Sequence, residues 1–186
     1  MLRAVMDTNV LDSAFRSRLG YSFDVFVALR RGQWRAVVSN HLVHEYEEIL
    51  KDHAADLGLS LGEIDAVLDA LRARAEEWPL GPGWLPILRD PDDEPLAQLA
   101  YDSDARRIIT HNVRDLAPAR RVGVEVLPPR EHISMDALVA TALTAQLDHT
   151  PLRPTIAERA ARVDWEKVDA ILARVPAAPP TPGDER

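Results

Sequence analysis

Short apolar segments alternate with longer amphipathic segments over the first 130 residues, and this alternation restricts the chain to few folds. Four short segments predict buried strands: LRAVM (2–6), RAVVS (35–39), RRIIT (106–110) and VEVL (124–127). The segments between them have apolar residues at helical spacing. Because parallel neighbours need crossover connections, the pattern predicts an α/β fold, with α/β/α layers around a central parallel sheet of about four to five strands.

The helical segments have recognisable limits. Residues 10–31 are predicted to form one helix that ends at Gly32. Ser60 and Glu63 have the spacing of a capping box, and the helix that they begin is predicted to end near Trp78. The acid-rich stretch 90–94 should open a further helix, because negative charge is favoured at a helix N-terminus.

The pattern becomes purely helical after residue 129, so we divide the chain into a sheet-containing domain (1–129) and a helical C-terminal segment (130–186). Helices are predicted near 133–147 and 155–175. The proline-rich tail PAAPPTPGDER is predicted to be extended and mobile.

Composition excludes several classes. The chain has no cysteine, which rules out disulfides and thiolate metal sites and favours the cytoplasm. It shows neither a signal peptide nor a membrane span. A formal charge of -8 argues against a general nucleic-acid coat, so any attraction for RNA must be local. Arg16, Arg18, Arg30, Arg31 and Arg35 lie close together in sequence, although they could simply be solvated helix faces.

Acidic residues follow the predicted strands where a functional crevice is expected. Ligands of open parallel sheets bind beyond the carboxyl ends of the strands. Asp7 closes the first strand, Glu45 lies on the helix after the second, Asp115 follows the third, and Asp93 begins the helix that leads into the third. Each acid could alone be a helix cap or a solvated residue. Independent capping does not explain acids after neighbouring strands.

Four carboxylates in one pocket would raise one another's pKa unless a cation neutralised them. Mg²⁺ and Mn²⁺ prefer oxygen ligands, and they stabilise the charge that builds on a phosphoryl group, as one ion or as a pair about 3.5–4 Å apart. The acids therefore indicate phosphodiester hydrolysis.

Four motifs in order, V-M-D-T-N-V-L, V-V-S-N-H-L-V-H-E-Y-E-E-I-L, D-P-D-D-E-P-L-A-Q-L-A and I-I-T-H-N-V-R-D-L, resemble the PIN-domain nucleases. More narrowly, they look like the toxin components of type II toxin–antitoxin pairs. The resemblance covers roughly residues 1–130 and implies Asp7, Glu45, Asp93 and Asp115 as metal-binding, catalytic acids. It implies Asn9, Ser39, Thr110 and Asn112 as supporting polar residues.

The resemblance has departures. Many members have an acid where Asn112 stands, whereas others have Asn there and Asp three residues later, as in this chain. Asp90 is the alternative to Asp93.

Other catalytic classes fit less well. The order H-x-x-H-E at 41–45 is not the H-E-x-x-H of zinc proteases. Asp7 could be a phosphate-accepting nucleophile, but such sites resemble D-x-D with a placed lysine, whereas this chain has Asn9 and only two lysines. The sequence has no glycine-rich phosphate loop.

The C-terminal segment resembles part of a ribbon-helix-helix antitoxin. R-E-H-I-S-M-D-A-L-V-A-T-A-L-T-A-Q-L looks like its second helix, and the stretch after residue 155 is similar to the tail that wraps the toxin. An amphipathic segment needs a groove, and its own domain is nearest, so Arg159, Arg162 or Arg174 could enter the acidic pocket and inhibit. The alternative is an ordinary helix pair that packs on the core or forms a dimer.

Together these patterns predict a Mg²⁺- or Mn²⁺-dependent endoribonuclease, the toxin of a toxin–antitoxin system, inhibited by its own C-terminal segment. The expected partners are RNA, an antitoxin or that segment, and a second copy in a homodimer, with no membrane. A catalytically silent binding or assembly protein is the alternative.

Overall fold

The computed structural model describes residues 1–132, 158 and 160–186. Over this part of the chain, five parallel strands form one sheet in the order β3-β2-β1-β4-β5. The strands are β1 (Arg3–Met6), β2 (Arg35–Val38), β3 (Ala75–Glu77), β4 (Arg107–Ile109) and β5 (Glu125–Leu127). Helices cover both faces, so the predicted three-layer α/β class is confirmed.

The described helices are α1 (Thr8–Arg16), α2 (Tyr21–Arg30), α3 (Asn40–Asp52), α4 (Ala54–Leu57), α5 (Leu61–Ala73), α6 (Glu94–Asp102), α7 (Val113–Leu116) and α8 (Trp165–Arg174). Two 3₁₀ segments, Pro91–Asp93 and Ala117–Val122, precede α6 and follow α7. Ala4, Val5 and Met6 have no exposed surface, so β1 is the centre of the core. This burial explains why its sequence is almost continuously apolar.

The sheet has a switch point between β1 and β4. From β1 the chain adds β2 and β3 on one side, and it then returns to add β4 and β5 on the other. Met6 pairs with Ile109, so these two central strands end at the same level. Helices leave in opposite directions at such a point and open a crevice beyond the strand ends.

Two of the predicted boundaries were wrong. The single helix predicted for 10–31 is two helices, because Ser17 takes an extended conformation after α1 and Gly20 precedes α2. The helix predicted to reach Trp78 ends at Ala73, and the next residues form β3 against β2. The sequence A-E-E has little intrinsic strand preference, so pairing with a neighbouring strand decides its conformation.

The C-terminal segment packs on the sheet-containing domain. The helix predicted near 133–147 lies outside the described residues. In place of one helix from 155, residues 161–163 form a turn and bend, and Asp164 caps α8 by accepting a hydrogen bond of 3.0 Å from the Lys167 N–H. Helix α8 packs against α5. Its buried residues are Val168, Ile171 and Leu172, which belong to the main core.

The proline-rich tail, predicted to be free of the domain, is docked on the α1–α2 corner. The Arg18 N–H donates to the Pro176 carbonyl over 2.9 Å, and the Ser17 hydroxyl donates to the Ala178 carbonyl over 2.5 Å. Asp184 is fully buried. In the described residues, no helix combines the length and the apolar character that a membrane crossing requires.

Candidate active site

Asp7 is the best-ordered acid of the predicted site. It is 6% exposed and directly follows β1, and its N–H donates to the Ile109 carbonyl of β4 over 2.9 Å. Its Oδ2 accepts hydrogen bonds from Asn9 Nδ2 over 2.7 Å and from the Thr110 hydroxyl over 2.6 Å. Asp7 also caps α1. The capping and functional interpretations of this residue are therefore compatible.

Asn9 and Thr110 join the ends of the two central strands. The Asn9 carbonyl oxygen accepts from the His111 N–H over 3.2 Å, and its amide nitrogen lies 3.3 Å from the Thr110 hydroxyl oxygen. That oxygen also accepts from the Asn112 N–H over 2.8 Å. Thr110 is fully buried. The network fixes the Asp7 carboxylate at the switch point of the sheet.

Glu45 lies on α3, within range of the Asp7 charge. Its side chain is 34% exposed, and burial is the main cause that raises its pKa. His41, with Nε2 3.8 Å from the Glu45 Oε1, lowers this pKa, whereas the charges of Asp7 and Glu48 raise it. An anion at Glu45 is therefore disfavoured until a cation compensates it.

Asp93 connects the remaining acids. Burial raises its pKa, and the charges of Asp7, Asp90 and Asp115 raise it further. Asp90 is exposed and accepts from the Asp92 N–H over 3.1 Å, so it caps the 3₁₀ turn before α6. Asp93 is therefore the acid of this segment that senses Asp7.

Asp115 and Ser39 lie at the margins of the site. Asp115 is exposed and lines a cavity with three arginines. Ser39 accepts from the Leu42 N–H over 3.1 Å and caps α3. Asn112 contributes its backbone N–H to Thr110, and its side chain does not cap α7. The described contacts of Ser39 and Asn112 are thus those of backbone-shaping residues.

In the described residues, no three acidic or histidine side chains stand close enough to hold a metal ion together. Mutual repulsion accounts for this spacing, because the charge of Asp7 raises the pKa values of both Glu45 and Asp93. The donors are all carboxylate oxygens, the type that Mg²⁺ and Mn²⁺ prefer. The site therefore fits a hard divalent cation in donor chemistry and in charge.

Sequence reasoning missed three polar residues beside the site. Tyr46 is fully buried and donates to the Met6 carbonyl, and burial raises its pKa well above the ordinary value. Glu94 is 7% exposed and accepts from Trp84 Nε1 over 2.7 Å and from the Ile87 and Leu88 N–H groups over 2.6 Å. Tyr46 read as part of an apolar stripe, and Glu94 as part of an acidic helix start, so neither gave a distinct signal.

His111, the third missed residue, links the site to the C-terminal tail. Its Nε2 lies 2.9 Å from the Ser22 hydroxyl, and Asp184 Oδ1 accepts from the Ser22 N–H and hydroxyl, each over 2.8 Å. Burial lowers the pKa of His111, while the charges of Asp184 and Asp7 raise it. No local pattern could predict this contact, because Asp184 comes from the far end of the chain.

The structure does not bring the described C-terminal arginines to the acids. Arg174 pairs with Glu63 at the start of α5. Arg162 is exposed and makes no hydrogen bond or ion pair within the described residues. Arg159 lies outside the described residues.

Comparison with known proteins gives one match. A family model described as PIN domain matches residues 3–114, more than half of the chain. The matched span contains Asp7, Glu45 and Asp93 and stops one residue before Asp115. No curated protein and no solved structure gives a significant match.

Proposed function

This chain belongs to the PIN-domain family, and on that premise we propose that it is a Mg²⁺- or Mn²⁺-dependent endoribonuclease. PIN domains are typically metal-dependent nucleases, so membership alone indicates a hydrolase that acts on nucleic acid. The observation that supports the finer proposal most strongly is Asp7, a nearly buried carboxylate fixed by Asn9 and Thr110 at the switch point of the sheet. Buried ionisable groups at such points concentrate at functional sites.

Asp7, Glu45, Asp93 and Asp115 are the residues that would hold the cation. Their electrostatic coupling through Asp7 and Asp93 supports this assignment. When bound, such a cation supplies Lewis-acid stabilisation of the charge that builds on the phosphoryl group.

The side chains have separate tasks in this proposal. Thr110 and Asn9 hold the Asp7 carboxylate in one orientation, so that little reorganisation is needed during the reaction. Tyr46 anchors the end of β1 through the Met6 carbonyl. Glu45 has a raised pKa and remains partly exposed, which suits it to accept the proton of the attacking water.

We also propose that the protein is the toxin of a toxin–antitoxin pair and that its C-terminal segment restrains it. The four motifs support the first statement. For the second, the support is that the docked tail ends beside His111, whose N–H contacts Asn9. The proposed partners are RNA, an antitoxin or this segment, and a second copy of the chain.

The experiment is cleavage of single-stranded RNA by the full-length chain in Mg²⁺, Mn²⁺ or EDTA. Asp7→Asn keeps the oxygen that accepts from Asn9 and Thr110 but removes the charge, and we expect the rate to fall on the order of a thousandfold. Asp69→Asn makes the same change on the exposed face of α5 and should leave the rate unchanged. Equal rates for the wild type and Asp7→Asn would refute the carboxylate mechanism.

A chain that ends at residue 175 tests the restraint. This cut removes the docked tail but keeps Val168, Ile171 and Leu172 in the core. Faster cleavage than by the full-length chain would support self-inhibition, and an unchanged rate would contradict it. If neither chain cleaves RNA in any metal, the catalytically silent binding protein becomes the better hypothesis, since the docked tail already partners this face.

A further inference from the structure

An open cavity of about 280 Å³ lies beside Asp115, and its polar lining is mostly basic. Arg89, Arg114 and Arg121 line it together with Asp115, Ala117 and Pro118. Arg114 directly precedes Asp115, and Arg89 is four residues before Asp93. The cavity therefore shares two backbone segments with the acidic site.

The three cavity arginines are exposed, and within the described part of the chain they make no hydrogen bond or ion pair. Neighbouring arginines do make such contacts. Arg107 pairs with Glu125 at 2.6 Å, and Arg120 donates to the Val126 carbonyl over 2.8 Å. The guanidinium groups of the cavity are thus available to a ligand, in a chain whose formal charge is -8.

The arginines at the other edge of the sheet differ. Arg30 pairs with Asp169 of α8 at 2.7 Å, and Arg16 pairs with Asp12 at 2.6 Å. Arg30 and Arg31 end α2 immediately before β2 begins, so they belong to the amino edge of the sheet, away from the acids. The arginine-rich stretch noted in the sequence is therefore poorly placed to serve the acidic site.

The backbone beneath the cavity arginines is well anchored. The Glu94 carboxylate accepts from the Ile87 and Leu88 N–H groups and so fixes the loop that leads into Arg89. Leu116 and Ala119 are fully buried and fix α7 and the 3₁₀ segment that carries Arg121. The long side chains can move, while their points of attachment are held in place.

We propose that Arg89, Arg114 and Arg121 form a subsite that binds backbone phosphates of the RNA strand beside the acidic site. This inference rests on the proposed ribonuclease function. A guanidinium group binds phosphate oxygens through two parallel hydrogen bonds, and three of them concentrate positive charge where the overall charge is repulsive. The carboxylates act on one phosphodiester, and the arginines hold neighbouring phosphates of the same strand.

The test is binding of a labelled single-stranded RNA oligonucleotide to full-length Asp7→Asn protein in EDTA, across a salt series. In this background, Arg89, Arg114 and Arg121 are changed together to Gln. Each lost phosphate contact should reduce the salt dependence, log Kd against log salt, by about 0.7, so a decrease of about 2 is expected, with at least a tenfold rise in Kd at low salt. Circular dichroism and the melting temperature check that the variant folds.

Arg31→Gln in the same background is the matched control, because it removes the same charge at the amino edge of the sheet. We expect it to leave Kd and the salt slope within error. An unchanged slope in the triple variant, an equal loss per charge in Arg31→Gln, or no RNA binding by the parent would each overturn the inference.

The outcomes separate this inference from the proposed function. Metal-dependent RNA cleavage by the wild type with an unchanged slope would reject the arginine subsite and leave the nuclease standing. Conversely, a reduced slope without cleavage by any chain would establish a phosphate-binding subsite in a protein that does not cut RNA.

Discussion

Asp7 and Asp184 are both buried aspartates whose charges raise the pKa of His111, yet they belong to regions of different character. Both Asp7 oxygens accept hydrogen bonds, from Asn9 and Thr110 on Oδ2 and from the Thr8 hydroxyl on Oδ1 at 3.2 Å. Asp184 Oδ1 accepts two hydrogen bonds from Ser22, but its Oδ2 has no partner in the described part of the chain.

Their neighbours also differ. Asp7 adds its charge to those of Glu45 and Asp93, so its region accumulates negative charge that a cation can relieve. Asp184 lies against Gly20 and closes the corner between α1 and α2. The comparison teaches that burial alone does not mark a catalytic acid. The accumulated charge and the place in the sheet distinguish Asp7.

The largest effect should come from Gly20→Ala, which attacks the tail side of the comparison. A Cβ at residue 20 would overlap Asp184 Oδ2 and lie 2.8 Å from its Cγ. Overpacking costs about 1–3 kcal/mol, unless the tail leaves its site first. We expect a lower melting temperature or faster proteolysis after residue 175, with Asp7-dependent cleavage retained.

Gly62→Ala is the matched control, because a Cβ there meets nothing within 4 Å, in the first turn of α5. It should be neutral or slightly stabilising, since Ala is the better helix former. If Gly20→Ala leaves both stability and proteolysis of the tail unchanged, the docking of Asp184 is not as described.

Removal of one hydroxyl on each side sharpens the comparison. Thr110→Val deletes the bond to Asp7, and Ser22→Ala deletes one of the two bonds to Asp184. Each should cost about 1 kcal/mol in the free energy of unfolding, a typical value for one hydrogen bond. Only Thr110→Val should also slow RNA cleavage, by roughly tenfold, because it releases the Asp7 carboxylate.

Chemical denaturation and cleavage assays on the two variants measure these effects. Thr110→Ser serves as the control, because it retains the hydroxyl and should recover most of the cleavage rate. Equal loss of cleavage in Ser22→Ala and Thr110→Val would remove the functional distinction between the two aspartates.

The predictability of the two regions differs for a physical reason. Asp7 follows a short apolar strand directly, and the end of a central parallel strand is a functional position whatever the rest of the chain does. The α/β class follows from the same local periodicity. Local patterns were therefore sufficient for the class of the fold and for bringing Asp7, Glu45 and Asp93 within electrostatic range of one another.

Contacts between distant parts of the chain escaped this reasoning. Strand β3 depends on pairing with β2, because its A-E-E sequence has little strand preference. Asp184 is buried only because the tail returns to Ser22, 162 residues earlier. The arginines of the cavity come from two segments, and their sequence neighbours gave no sign of convergence. Such contacts depend on tertiary packing, which periodicity does not report.

His111 senses both aspartates, and acid titration measures its burial. Its pKa is lowered in the folded protein, so the unfolded chain binds a proton more readily. This contribution to stability is complete above the unfolded pKa of about 6.5 and decreases as the pH falls, by at most about 1.4 kcal/mol per pH unit. His111→Gln should lose stability less steeply than the wild type between pH 7 and pH 5.

Melting temperatures of the two proteins over this range test the prediction. His132, whose burial lowers its pKa to about 3, is protonated over the same range only on unfolding, so the difference between the two curves is the quantity that isolates His111. Parallel curves would mean that His111 is not desolvated between the acidic site and the tail.

The smallest effect is expected at Glu45, and its sign is the informative part. The folded pKa of Glu45 is raised, so its stabilising contribution is present below the unfolded pKa and is lost as the pH rises through the folded pKa. At neutral pH in EDTA, Glu45→Gln should therefore raise the melting temperature while it slows cleavage. Glu47→Gln on the same helix is the control with the opposite sign, because the ion pair with Lys51 lowers the Glu47 pKa. A fall in melting temperature for Glu45→Gln would show that the acids near Asp7 do not repel one another, and the charge accumulation that distinguishes Asp7 from Asp184 would then be lost.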